Sequence, residues 1–166
     1  MRDIFIISDT HFGHDNILKF LKEDKSHVRE FASTEEMNER MVENWNSVVK
    51  DGDIVYHLGD VYFGQGHSVL PRLKGSKRLV LGNHDNGKSE HILKHFKKVM
   101  VWRMFPEFDC LLSHVPVHDS ALYKVKYNLH GHVHHNSLQD PRYVNCCVEV
   151  RDYKPIAIEE ILQNVR

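Results

Sequence analysis

Arg78-Leu79-Val80-Leu81-Gly82-Asn83-His84-Asp85 is a short β-prone run that breaks at a glycine and delivers a polar cluster. A turn needs the glycine and the asparagine, but it has no use for the histidine. A β-prone run followed closely by such a polar residue or cluster recurs four times, twice with a glycine at the break. Upstream, Ile54 to Leu58 runs into Gly59-Asp60, and Ile4 to Ile7 runs into Asp9-Thr10-His11. Downstream, Cys110 to Leu112 precedes His114, and Tyr127 to Leu129 precedes Gly131-His132-Val133-His134. In an open α/β sheet, the loops beyond the carboxyl ends of the strands gather in one crevice. Five clusters delivered from five strand ends would meet there. Carboxylate, imidazole and side-chain amide, with no thiolate, suit two divalent metals and point to metal-assisted hydrolysis of a phosphate ester.

The segments between the clusters fit this reading. Ser33 and Glu36 have capping-box spacing, and Met37, Met41, Trp45 and Val48 follow at helical intervals, so a helix is expected to about Lys50. Shorter helices are expected over Asn16 to Lys22, Val69 to Leu73, Lys88 to Phe96 and Ala157 to Val165, with Glu23 to Ala32 a polar surface loop. Past residue 98 the pattern changes. Val99 to Met104, Asp109 to Ser113, Tyr127 to His130 and Arg142 to Val150 all have strand character, with no long helix between them. The first half alternates strand and helix and the second is mostly strand, which predicts α/β layers with an antiparallel part in one domain, residues 1–166.

The composition excludes several classes. With 41% hydrophobic and 27% charged residues, the chain has the make-up of an ordinary globular protein. It has no apolar run long enough for a membrane span. Strand-like sequence from Ile4 leaves no room for a signal peptide, and three cysteines make a poor disulfide framework, so a reducing cytoplasm is expected. A net charge of −1 gives no support to stable nucleic-acid binding. The small basic groups at Lys74, Lys77 and Arg78 and at Lys94, Lys97 and Lys98 read as solvated faces. The fourteen histidines are scattered, so they are no affinity tag, and His27, His67, His91 and His95 lack metal-ligand company.

Two ions held close together need a ligand that touches both, and Asp60 fits this bridging role because Gly59 lets the backbone turn tightly there. Asp9 and His11, and likewise His132 and His134, are two residues apart and would point the same way on extended backbone. Gly131 permits a tight bend before the second pair.

These segments, in this order from Asp9 to His134, resemble the signature of the calcineurin-like metallophosphoesterases, which runs Asp-x-His, Gly-Asp, Gly-Asn-His-Asp/Glu, His, Gly-His-x-His. The ending Asp152-Tyr153-Lys154-Pro155 is similar to that of small single-domain bacterial and phage members. The resemblance implies a sandwich of two mixed β-sheets flanked by helices, with a dinuclear site at one edge. It further implies that one metal takes Asp9, His11, Asp60 and His134, and the other Asp60, Asn83, His114 and His132. The nucleophile would be a hydroxide bridging the ions, attacking phosphorus in line, with His84 beside the leaving group and Asn83 and His84 touching substrate.

One position departs from the pattern. Many phosphomonoesterases of that family read Gly-Asp-x-x-Asp, the second Asp orienting the catalytic histidine, and here that position is Phe63. This moves the expected substrate from unactivated monoesters toward phosphodiesters, nucleotides included. His14 is expected either to face the crevice, touching substrate or a neighbouring ligand, or to pack at the surface, and His57 and His130 are expected to be core residues or to hydrogen-bond ligands and fix their tautomers. The leading expectation is a hydrolase, a dinuclear phosphodiesterase or phosphatase, with Mn²⁺ ahead of Fe²⁺ or Zn²⁺. The rivals are a non-catalytic scaffold of the same fold and a structural zinc domain. The first would be expected to have lost ligands that are all present here, and the second would be expected to use cysteines that lie elsewhere. The sequence does not speak to oligomeric state.

Overall fold

A computed structural model describes residues 2–165. Two mixed sheets are stacked and flanked by helices. In the first sheet, β1 (Ile4–Ile7), β2 (Ile54–His57), β3 (Ser76–Val80) and β4 (Lys98–Met100) run parallel, in the order β4-β3-β2-β1. The short β9 (Ile156–Ala157) joins the β1 edge antiparallel. In the second sheet, β6 (Cys110–Ser113), β7 (Tyr127–His130) and β8 (Tyr143–Asn145) are parallel, and β5 (Trp102–Phe105) pairs antiparallel with β6.

The two-residue alternation of side chains divides the core. Phe5, Ile7, Val55 and Leu79 pack toward α1 (Thr34–Val48) and α2 (Glu90–His95). Ile6, Tyr56 and Val80, with Leu58 just past β2, face Leu112, Leu129 and Val144 of the second sheet, and α3 (Ile158–Gln163) closes this inner layer. Helix α1 follows its sequence closely. Ser33 accepts the Glu36 amide at 3.1 Å, the Glu36 carboxylate accepts from Ala32, and Met37, Met41 and Trp45 are fully buried.

Four expectations need correction. Val99 to Met104 is two strands: the chain leaves the first sheet after Met100, passes the exposed Val101 and enters the second at Trp102. A continuous β-prone run does not mark a change of sheet. The stretch from Arg142 to Val150 is a strand only as far as Asn145, and Val148–Val150 is a 3-10 turn. The early helix is a 3-10 turn over Asp15–Lys19. The charged segment Glu23 to Ala32 is not wholly at the surface, since Val28 and Arg29 are buried. Among the described residues, no helix is long and apolar enough to cross a membrane.

Candidate metal centre

The loops after β1, β2, β3, β6 and β7 converge at one end of the sandwich. Asp9, His11 and His134 present ligand atoms within 4.8 Å of one another, and so do Asp60, His114 and His132. Each group draws from both sheets.

Local folding aims these side chains by an unusual route. Asp9, His11, Asp60, His132 and His134 all have left-handed backbone, with φ between 50° and 71°, so the extended conformation expected for the two Asp/His-x-His pairs is not adopted. Each such residue costs about 1–3 kcal/mol and persists only where its surroundings enforce it. Here they do. The amides of Asp9, His11 and Phe12 donate to the carbonyls of Gly59, Asp60 and Val61, which zips the first two loops together. Asp85 accepts from the amides of Asp60, Val61 and Gly82 at 2.8–3.0 Å. Arg29, 1% exposed, donates to the carbonyls of Asp9 and Thr10. Two glycines are required by close approach. A Cβ on Gly82 would lie 2.2 Å from Asp60 Oδ1, and one on Gly131 would lie 2.0 Å from Ser8 Oγ and 2.3 Å from Asp9 Oδ2. Gly131 thus makes room for Asp9 and serves packing, where a tight bend was expected.

The two aspartates are satisfied on one oxygen only. Asp9 Oδ2 accepts from Ser8 Oγ at 2.5 Å, the His132 amide at 2.9 Å and Cys147 Sγ at 3.3 Å. Its Oδ1, equally buried, has no partner, and neither has His11 Nε2, 3.7 Å away. Asp60 Oδ1 accepts the His84 amide at 2.9 Å. Its Oδ2 lies 3.6 Å from His11 Nε2 and 3.4 Å from His114 Nε2, between the two groups. His114 Nδ1 sits 2.8 Å from the Leu58 carbonyl and so carries the hydrogen, which turns the Nε2 lone pair toward Asp60 Oδ2 and toward Asn83 Oδ1 at 2.8 Å. His132 Nδ1 approaches the same Asn83 oxygen at 3.0 Å. Lone pairs converging in a buried place call for a proton or a cation, and the residues present fit divalent metals.

Electrostatics agree with this arrangement. Burial alone would raise the Asp9 and Asp60 pKa values, but the neighbouring imidazoles, with Ser8 on Asp9 and the His84 amide on Asp60, outweigh it and hold both below the usual carboxylate range. Burial disfavours charge on His11 and His114, yet the same carboxylates push both upward. Burial lowers His57 to about 3. Thr10 Oγ1 donates to the Val61 carbonyl, so His57 Nε2 donates to Thr10 while Nδ1 accepts the Gly59 amide, which fixes one neutral tautomer beneath the Asp60 loop. His130, also lowered by burial, bonds Gly131.

Every sequence-proposed ligand is brought into this place. Asn83, His84 and His132 lie on its open side, and Asp9, His11, Asp60 and His114 on its buried side. The His84 ring stands 6.2 Å from His11 and 5.1 Å from Phe63 between centroids. Asp85 is committed to three amides and makes no hydrogen bond to the His84 ring. His14, lowered to about 4 by burial and the neighbouring positive charge, bonds His11 Nδ1 at 2.9 Å and stacks on Phe63 at 4.0 Å. Phe63 therefore supports the His11–His14 pair.

The sequence reading missed two residues. Glu149 accepts from His134 Nδ1 at 2.9 Å and from the buried Arg29 at 2.7 Å. Burial would raise its pKa, but the Arg29 charge and His134 lower it. The Glu149–His134 pair has the form of a carboxylate that orients a metal-binding imidazole. The only sequence signal was negative: two charges in segments otherwise read as loop and strand. The cysteines are free and buried, burial pushes Cys110 and Cys146 up to about 12 and Cys147 higher still, and neither ligand group includes one.

Fold and site define a class: a mixed α/β sandwich carrying paired Asp/His groups of metal-ligand type on loops past its strand ends. No family model matches the chain. An uncharacterized protein of Methanocaldococcus jannaschii is 33% identical over 98% of this chain and 91% of its own length. The gene 66 protein of Mycobacterium phage L5 is 27% identical over 81% of this chain and 78% of its own. A protein of unknown function from Aquifex aeolicus superposes with a TM-score of 0.78 at 27% identity, covering 99% of this chain and 100% of that one. A distant likeness, with TM-score 0.40 and 14% identity over 88% of this chain and 71% of that one, is to a conserved uncharacterized protein and predicted phosphoesterase of Streptococcus pneumoniae. The chain belongs to the family of the Methanocaldococcus protein.

Proposed function

We propose that the protein is a dinuclear metal-dependent phosphoesterase that prefers phosphodiesters. The observation that carries this reading is the Asp60 carboxylate, with one oxygen tied to a backbone amide and the other between His11 and His114, each of a different ligand group. Asp9, His11, Asp60 and His134 would hold one ion, and Asp60, Asn83, His114 and His132 the other, Mn²⁺ being our first choice. Bound there, the pair would acidify a shared water and neutralise phosphoryl oxygens. The protein's own residues do the rest. Asp85 and Arg29 hold the ligand loops, Glu149 and His14 orient His134 and His11, and Asn83 and His84 face incoming substrate. His84 has no carboxylate behind it, so it is a weakly supported acid, which favours diesters with better leaving groups.

The test is hydrolysis of bis-p-nitrophenyl phosphate and p-nitrophenyl phosphate by metal-stripped protein titrated with Mn²⁺. Faster, Mn²⁺-dependent cleavage of the diester is expected. A preference for the monoester would show that another group serves in place of a carboxylate at Phe63. Two bound metals without turnover of either substrate would favour a binding protein.

A further inference from the structure

A cleft of about 610 Å³ opens directly beside the second ligand group. Asn83 and His114 of that group line it, together with Leu81, Val101, Trp102, Met104, Val115 and Tyr123. It lies where the chain crosses from one sheet to the other at Val101, so the diverging sheet ends leave it open. Its volume falls in the range of small-ligand sites, and a ligand there would be continuous with the metal centre. Val101, Trp102 and Tyr123 are 71%, 56% and 73% exposed, an unusual concentration of large apolar groups in one place.

The chemistry of the walls selects the occupant. No Lys, Arg, Asp or Glu lines the cleft. The Ser113 hydroxyl is already donated to the Val115 carbonyl at 2.6 Å. A nucleobase placed here would meet few polar groups, Asn83 and His114 beside the metal centre and the indole N–H and phenol of Trp102 and Tyr123, so part of its ring nitrogens and carbonyls would be buried at a cost that stacking would have to overcome. A hydrocarbon group has no such need. Resting on the phosphoesterase reading, we propose that this cleft is a subsite for the alkyl or aryl alcohol portion of the phosphate ester. The substrate class is then esters of hydrocarbon alcohols, with nucleotides disfavoured.

Calorimetry on Zn²⁺-loaded protein, with non-hydrolysable phosphonates below their micellar concentration, tests this. Octylphosphonate is expected to bind at least about tenfold more tightly than methylphosphonate, which burial of two methylene groups would supply. Adenosine 5′-monophosphate should bind no more tightly than methylphosphonate. Val101→Asp, at a position exposed enough to spare the fold, should bring the octyl-to-methyl ratio toward one. Equal affinities for the two phosphonates, or tighter binding of the nucleotide, would overturn the proposal. So would a stable dimer in sedimentation that Val101→Asp dissociates, which would assign the surface to a second copy. Should neither phosphonate bind the loaded protein, the phosphoesterase reading fails, and hexan-1-ol decides the cleft separately. The chain has two tryptophans, and Trp45 is fully buried, so an emission shift in metal-free protein reports Trp102. A blue shift supports the subsite, and none refutes it.

Discussion

Asp9 and Asp60 each give one oxygen to the protein and keep one facing the centre. For Asp60, replacement by Asn keeps the shape and removes the charge. Asp60→Asn is expected to lower metal content and abolish turnover, checked by metal analysis and diester hydrolysis; two metals and full activity would refute the bridging role. Asparagine also tolerates left-handed backbone, which β-branched or bulky residues do not. At the five left-handed positions, Asn or Gly substitutions report ligand chemistry, whereas other replacements mix it with backbone strain. His84 lies outside that set. His84→Ala should retain both metals and lose most activity, with the smallest loss for esters with the best leaving groups. Losses that do not vary along a leaving-group series would argue against His84 as the acid.

The element scale shows where sequence patterns carry and where they stop. A strand followed at once by a polar residue or cluster is a local pattern, so the seven positions that converge at the centre and the strands beneath them could be read from the chain, and so could α1 with its cap. Arg29 and Glu149 lie 120 positions apart, and neither looks functional until the loop after β1 and the turn after β8 are packed together. The strand break at Val101 was hidden for a similar reason, since β4 and β5 share one unbroken β-prone pattern while pairing in different sheets. Glu149→Gln tests the hidden pair. It should weaken metal binding by about 10–100-fold through His134. It should also lower the melting temperature of the metal-free protein, because the Arg29 charge is left buried and unpaired. Unchanged metal affinity with lowered stability would reduce Glu149 to a structural partner of Arg29.

At the scale of the whole molecule, His57 links acidity to stability. Its folded pKa of about 3 lies below the ordinary 6.5, so between these values the unfolded chain binds the proton and the folded chain does not. Stability is therefore complete above pH 6.5 and falls as pH drops toward 3, by an amount on the order of a few kcal/mol. The depressed carboxylates act only below their unfolded values near 4, so between pH 6.5 and 4.5 the fall comes from the lowered histidines, His57 together with His14, His95 and His130. Metal-free protein should melt progressively lower across that window, and His57→Gln should reduce the slope without abolishing it, since His14, His95 and His130 remain. The paired ligand groups have a further consequence. Asp9 and His11 sit on the first sheet and His134 on the second, and Asp60 likewise faces His114 and His132 across the seam. Each ion would act as a rivet between the two sheets, which the isolated bridge Ser8–Cys147 also joins near this end, closing loops of more than fifty residues much as a cross-link does. Metal loading should then slow the parting of the two sheets, and amide exchange at the strand ends would show the seam as the first place to open when metal is withdrawn.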